Sequence, residues 1–336
     1  MLLLGSSQEI IAFDTAFMFI DGMTIQGDVN RTTSCARRED TTICIRLRRA
    51  FRSQQVSSGL GPIAFVVLIS LCFGSSAPGA STQAARGVAD DPSALVRRAT
   101  QSALAERSHH QPLRYLVRKV DKRSDTTKEI VETKDGAVAR LIAIDGNPLS
   151  AEADQAELHR LNYLSGHPKL QEHRRKREQE VSDRVNRLMR LLPEAFLYRY
   201  EGMTPCKSGQ CYRLGFSPNP QFDPPSEEAK IFRGMAGEVW IDLTEERMVK
   251  LDARLIEEVD FGWGIIGRLR KGGTILLEQT HVGGHQWELT HLKLSLTGKA
   301  LLIKSLDIQT TEDKSGFTPV SSEMSYRQAI QMLENP

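Results

Sequence analysis

Hydrophobic residues recur at every second position through much of the chain beyond Phe196, and at helical spacing in two stretches before it. The clearest twofold pattern sets Val249, Leu251, Ala253 and Leu255 against Lys250, Asp252 and Arg254. That alternation predicts a strand with one buried and one wet face. Further strands are predicted at 113–120, 129–133, 138–144, 196–200, 210–216, 237–242, 272–279, 287–294 and 300–306. The Lys134-Asp135-Gly136 turn between apolar runs marks a hairpin. Pro218-Asn-Pro220 and Pro224-Pro225 mark a loop, with a short helix opening at Ser226.

Two longer stretches follow the helical period. Leu95, Val96, Ala99, Ala103 and Leu104 give an amphipathic helix over 93–107, opened by Asp91-Pro-Ser93. Residues 151–193 read as a strongly charged helical segment whose apolar side, Val181, Val185, Leu188, Leu191 and Leu192, faces a sheet. Its charges are mixed in sign, so they read as a solvated face with intrahelical pairs: Glu178 with Arg175 and Lys176, Glu180 with Arg184. About ten strands with short turns and no βαβ alternation predict an α+β fold: a large, curved antiparallel sheet, an unclosed β-barrel, with helices on its concave side.

The first third has a different character. The apolar run Gly61–Phe73, about 13 residues, follows Arg46, Arg48, Arg49 and Arg52 and precedes Gly74-Ser-Ser-Ala-Pro-Gly-Ala80. Positive region, apolar core and small residues are the order of a secretory signal, and the core is short for a membrane span. The expectation is cleavage after Ala77, with a signal-anchor helix as the alternative. Residues 1–45 then read as sequence upstream of a start near Leu47. Leu71 before Cys72 is too large for a lipidation site. Residues 78–91 form a flexible linker, 92–312 the sheet domain with its helical insert, and 313–336 a C-terminal tail. The expected location is the periplasm or another exported space.

Beyond residue 77, 37 basic and 36 acidic side chains nearly cancel, so net charge gives no support for nucleic-acid binding. The overall 26% charged and 40% hydrophobic content suits a folded globular chain. Cysteine usage says more. Only Cys206 and Cys211 follow the export segment, around Lys207-Ser-Gly-Gln210 between two strands. An even count in an exported chain predicts a disulfide across a hairpin. A free pair and a zinc site are the alternatives, and two thiolates fall short of a zinc ligand set.

Tyr212-Arg-Leu-Gly-Phe-Ser-Pro218 and Gly237-Glu-Val-Trp-Ile-Asp242 followed by Arg247-Met-Val-Lys-Leu251 lie in a helix-then-meander order. That arrangement resembles the LolA/LolB/RseB-like superfamily, and more closely exported bacterial proteins related to outer-membrane lipoprotein-sorting proteins. The resemblance covers about 93–312. It implies an unclosed β-barrel with helices plugging the concave side and an apolar cavity for acyl chains. No ligand residue carries over, and the charged insert departs from the family pattern.

Under that reading Trp240, Phe261, Trp263, Leu277 and Trp287 are the candidate cavity residues, with ordinary core as their alternative. Phe261-Gly-Trp-Gly-Ile-Ile-Gly-Arg-Leu-Arg270 reads as a mobile rim with Arg268, Arg270 and Lys271 near lipid headgroups, or as a loop with its aromatics tucked in. His281-Val-Gly-Gly-His285 with Glu278 and His291 gives a weak metal signal, because two glycines make a turn there. Neither Gly-x-Ser-x-Gly nor a phosphate-binding Gly-Lys-Ser/Thr loop is present. The expectation is a non-enzymatic protein without cofactor or metal. It would bind a lipid or acylated lipoprotein, touch the membrane surface transiently, and possess no nucleic-acid partner. An envelope protein-interaction module is the alternative, and an extracytoplasmic hydrolase a third.

Overall fold

The computed structural model describes residues 91–105, 110–262, 266–283, 286–301 and 304–335. The signal-like segment, Cys35, Cys44, Cys72, Trp263 and His285 lie outside these residues. Helix α1 (Pro92–Ala105) precedes β1 (Leu113–Asp121), β2 (Asp125–Val131), β3 (Val138–Ile144) and the two-residue β4 (Asn147–Pro148). Helices α2 (Ala151–Gly166) and α3 (Pro168–Ala195) follow. Then come β5 (Phe196–Cys206), β6 (Gly209–Pro218), a 3-10 helix (Glu228–Gly234), β7 (Met235–Asp242) and β8 (Met248–Leu255). The chain ends with β9 (Val259–Phe261), β10 (Gly267–Leu269), β11 (Thr274–Gly283), β12 (Gln286–Ala300), β13 (Lys304–Pro319) and α4 (Tyr326–Glu334).

The strands form one antiparallel sheet in the order β4-β3-β2-β1-β13-β12-β11-β8-β7-β6-β5, with β9 and β10 attached beside β12. The sheet does not close: β4 lies at one edge and β5 at the other. Helices α2 and α3 connect these two edges, α2 lying on β3 and α3 running into β5. This is the predicted α+β architecture. Its strand count exceeds the expected ten because β4, β9 and β10 are too short to show a period.

Local sequence explains several details. Gly237 lets β7 approach β8 closely, since a Cβ there would lie 2.0 Å from the Asp252 carbonyl oxygen. A bulge between Trp240 and Ile241 sets Val249 and Lys250 together against Trp240. Helix α2 is capped by Ser150 Oγ, which accepts from the Ala153 amide at 3.2 Å.

Two sequence expectations change. Residues 313–336 are not a tail: β13 continues to Pro319, and α4 follows. Ser325 and Gln328 form a reciprocal capping box, and Tyr326, Ala329, Ile330 and Leu333 are buried at helical spacing. These residues share a core with Val131, Val138, Leu161 and Leu164.

The inward side of α3 is also different. Its N-terminal half turns Gln171, Arg174 and Glu178 inward, and Glu178 pairs with neither Arg175 nor Lys176 as expected. Gln171 Nε2 donates to the Asp135 carbonyl at 3.0 Å, and the Ala137 amide donates to Glu178 Oε2 at 3.2 Å. Gly136, at φ +94°, is the seat for this contact: a Cβ would meet Glu178, Arg175 and Gln171 within 3.2 Å. Arg184 Nε lies 3.8 Å from Glu228 Oε1. The second half of the helix packs apolar side chains, with Val185 buried, and in the first half Leu170 reaches the core shared with the C-terminal helix. Backbone groups of the β2–β3 turn need partners there, and polar side chains meet them.

Candidate functional site

The sheet end formed by β5, β6, β7, β8, β11 and β12 holds an open cleft of about 620 Å³. Its apolar part is Trp240, Val249, Trp287 and the Cys206 side of a disulfide. These residues join Cys211, Ala103 of α1 and Met189 of α3 in one hydrophobic cluster. Trp287 is 4% exposed, so it is floor rather than rim. Its indole Nε1 donates to Glu245 Oε2 at 2.8 Å, which fixes the ring. His281 meets that ring edge-on, centroids 5.8 Å apart. Trp240 is half-buried, and Lys250 Nζ sits 4.7 Å from its ring centroid.

The rim is polar and carries both signs. Lys207 Nζ reaches Glu278 Oε2 at 3.2 Å across the mouth. Lys250, Gln279, Thr280 and Ser208 complete the polar lining. Bulges between Glu278 and Gln279, and between His281 and Gly283, re-aim this end of β11 toward the opening.

The disulfide forms one wall. Cys206 and Cys211 are bonded with Cα atoms 6.0 Å apart. The sequence placed them side by side around a four-residue loop. In the structure Cys206 faces Gly209 and Cys211 faces Thr204, so the bridge runs diagonally across a two-residue turn, Lys207-Ser208. Positive φ at Gly209 (+128°) permits the tight turn. Cys211 in turn lies opposite Asp242 in the β6–β7 register.

The other candidate residues are distributed. Leu277 is buried one turn of the pleat behind the cleft, opposite Leu251 and Leu292. Phe261 is 2% exposed, pairs with Gly267 in the β9–β10 hairpin, and is not among the cleft residues. The adjoining Gly262 amide donates to Glu227 Oε2 at 2.5 Å. Arg268 is engaged by Asp260 and Glu258. His281 and Glu278 both line the cleft, but His291 Nδ1 is held by Asp313 Oδ1 at 2.7 Å. The suggested metal group is therefore not assembled among the described residues.

Sequence reading missed Val249, Lys207 and Lys250 as cleft residues. The alternation marked Val249 and Lys250 as opposite faces of a strand, and only the bulge brings both to one opening. It also missed the polar character of the sheet's inner face farther along. Glu312, 1% exposed, lies opposite Leu292, and Lys314 lies opposite Val117 with its Nζ 4.6 Å from the Tyr115 ring centroid. Burial pushes the Glu312 carboxyl above the usual carboxylate range, against the pull of Lys314 and Lys119. His110 Nε2 and Glu132 Oε2 are 2.8 Å apart in the same region. Burial is the largest influence on the His110 imidazole and draws it down, but the hydrogen bond and charge of Glu132 together with the charge of Glu288 leave it raised.

No protein-family model matches the chain, and the search of curated proteins finds no match. A solved structure of a DUF1329 family protein from Desulfovibrio piger is similar at 10% identity, over 70% of this chain and 95% of that one, with a TM-score of 0.24. A likeness at that level carries no argument here, so the unclosed antiparallel sheet rests on this chain's own strand order.

Proposed function

We propose that this is an exported, non-enzymatic carrier that seats a lipid or lipoprotein acyl chain in the Trp240–Trp287 cleft. The observation that carries the reading is an open cleft of about 620 Å³ with an indole floor, a disulfide wall and a charged rim. Its volume falls within the range of roughly 300–1,000 Å³ typical of small-molecule sites. An alkyl chain against Trp240, Val249 and Trp287 would gain roughly 0.8 kcal/mol per buried CH₂. Lys207, Lys250, Glu278 and His281 would meet a polar head at the mouth. Glu312 and Lys314 make the farther inner face costly for an alkyl chain, which favours the cleft as the seat. Export rests on the charge, apolar and small-residue order of 46–80.

The test is native mass spectrometry with lipid extraction on the full chain produced with export. Tryptophan fluorescence titration with dodecanoate would follow. A stoichiometric lipid and saturable quenching that Trp240→Ala weakens at least tenfold is the expected result. A ligand-free mass with no response to dodecanoate would remove the carrier reading.

A second reading, an envelope protein-interaction module, is favoured by β5. It is an 11-residue edge strand with Leu197 and Met203 exposed. Such an edge can accept an extended peptide. A ligand-free mass together with a co-purifying envelope protein that Leu197→Lys releases would support it.

A further inference from the structure

Three adjacent strands bring Cys206, Cys211 and Asp242 to one point. One ligand atom from each, two sulfurs and a carboxylate oxygen, lies within 4.8 Å of the others. Cys211 and Asp242 are direct register partners, and Cys206 stands diagonally across the hairpin. Cys211 is fully buried and Asp242 is 3% exposed, while Cys206 is half-buried and lines the cleft. The Asp242 carboxylate is already oriented: its Oδ1 accepts the amides of Thr244 and Glu245, each at 2.8 Å. Oδ2 takes no part in those two bonds.

We propose that the reduced form of this hairpin is a zinc site, with Cys206 and Cys211 thiolates and the Asp242 carboxylate as ligands and the cleft giving access to the fourth position. In the oxidised chain the two sulfurs are joined and cannot ligate. A dithiol reductant attacks the accessible Cys206 sulfur and the S–S bond breaks. The reductant's second thiol then resolves the mixed disulfide, leaving two protein thiols and an oxidised reductant. Metal binding releases the two thiol protons to solvent, since only thiolates ligate. Two thiolates beside a buried carboxylate amount to three negative charges in little space. A divalent cation relieves that repulsion. Sulfur with one carboxylate oxygen suits Zn²⁺ better than Ca²⁺ or Mg²⁺, which prefer all-oxygen shells. Redox state would then decide whether this wall of the cleft is stapled covalently or clipped by metal.

The test uses the full chain carrying Cys35→Ser, Cys44→Ser and Cys72→Ser, so that only this pair can respond. The protein is reduced anaerobically with a phosphine and titrated with Co²⁺, whose thiolate charge-transfer absorption reports sulfur ligation, followed by displacement with Zn²⁺. Expected is one equivalent bound in the reduced chain and none in the oxidised chain. Asp242→Asn should weaken binding at least about tenfold, with the oxidised variant keeping the parent circular-dichroism spectrum. Equal affinity in Asp242→Asn and the parent would overturn the ligand set. Equal affinity in the parent and in Cys206→Ser would overturn the site, and that comparison alone decides should Asp242→Asn lose its fold.

Discussion

Glu178 places an ionisable carboxyl where α3 meets the β2–β3 turn. Burial raises it to about 7, against the opposing effects of Arg174 on the same helix and the Ala137 amide. Glu132, just beyond β2, raises it further. Its folded value lies above that of an unfolded glutamate, so the folded chain holds this proton more tightly. The Glu178 contribution therefore favours folding at low pH and is lost as pH climbs from about 4.5 to about 7. Glu178→Gln should remove that slope and stabilise the protein at pH 8 by up to about 2 kcal/mol. Urea unfolding of parent and variant at pH 5.5 and pH 8 checks it, the difference between them cancelling other titrating groups such as Glu312. A parent-minus-variant difference that is the same at both pH values would contradict the prediction.

At the scale of elements, α4 shows what a strong local signal can hide. Ser325, Gln328 and the buried Tyr326, Ala329, Ile330 and Leu333 spell a capped amphipathic helix in the sequence. Its nine residues at the chain's end were easily read as a tail. Ser325→Ala should cost about 1 kcal/mol through the lost cap. Deleting 321–336 should do much more, because it uncovers Val131, Val138, Leu161 and Leu164. Increased binding of an apolar dye and loss of cooperative unfolding are the expected readouts.

The β5–β6 hairpin gives a second test. Removing its bridge by Cys206→Ser with Cys211→Ser should cost about 2 kcal/mol, since the closed loop is short. A thermal melt of the double variant measures the loss.

Across the whole molecule, long alternating strands were legible and so was the open antiparallel sheet. Val249 to Leu255 shows why: a period of two survives wherever one face is wet. The short strands β9 and β10 were not legible, because three residues carry no period. The candidate site was half legible. Trp240 and Trp287 stand out as large apolar groups, whereas Lys250 and Val249 reach the same opening only through a bulge. Asp242 as a neighbour of the cysteines depends on strand register, which no local pattern states. The inward charges of α3 ran against expectation for a similar reason. The helix docks on backbone groups of a turn, and amphipathic periodicity cannot report a polar interior partner.

The place of β13 has a consequence for how the chain is made. This last strand lies between β1 and β12, pairing Leu113 with Pro319 across the sheet's centre. Until it arrives, β1 has no neighbour on that side, and the β1–β4 meander is a separate fragment from the β5–β12 half. Contacts this distant in sequence make folding slow, since a large loop must close before they form. A ribosome would release most of this polypeptide before its central seam could be sewn, and until then the two halves of the sheet would stay unjoined.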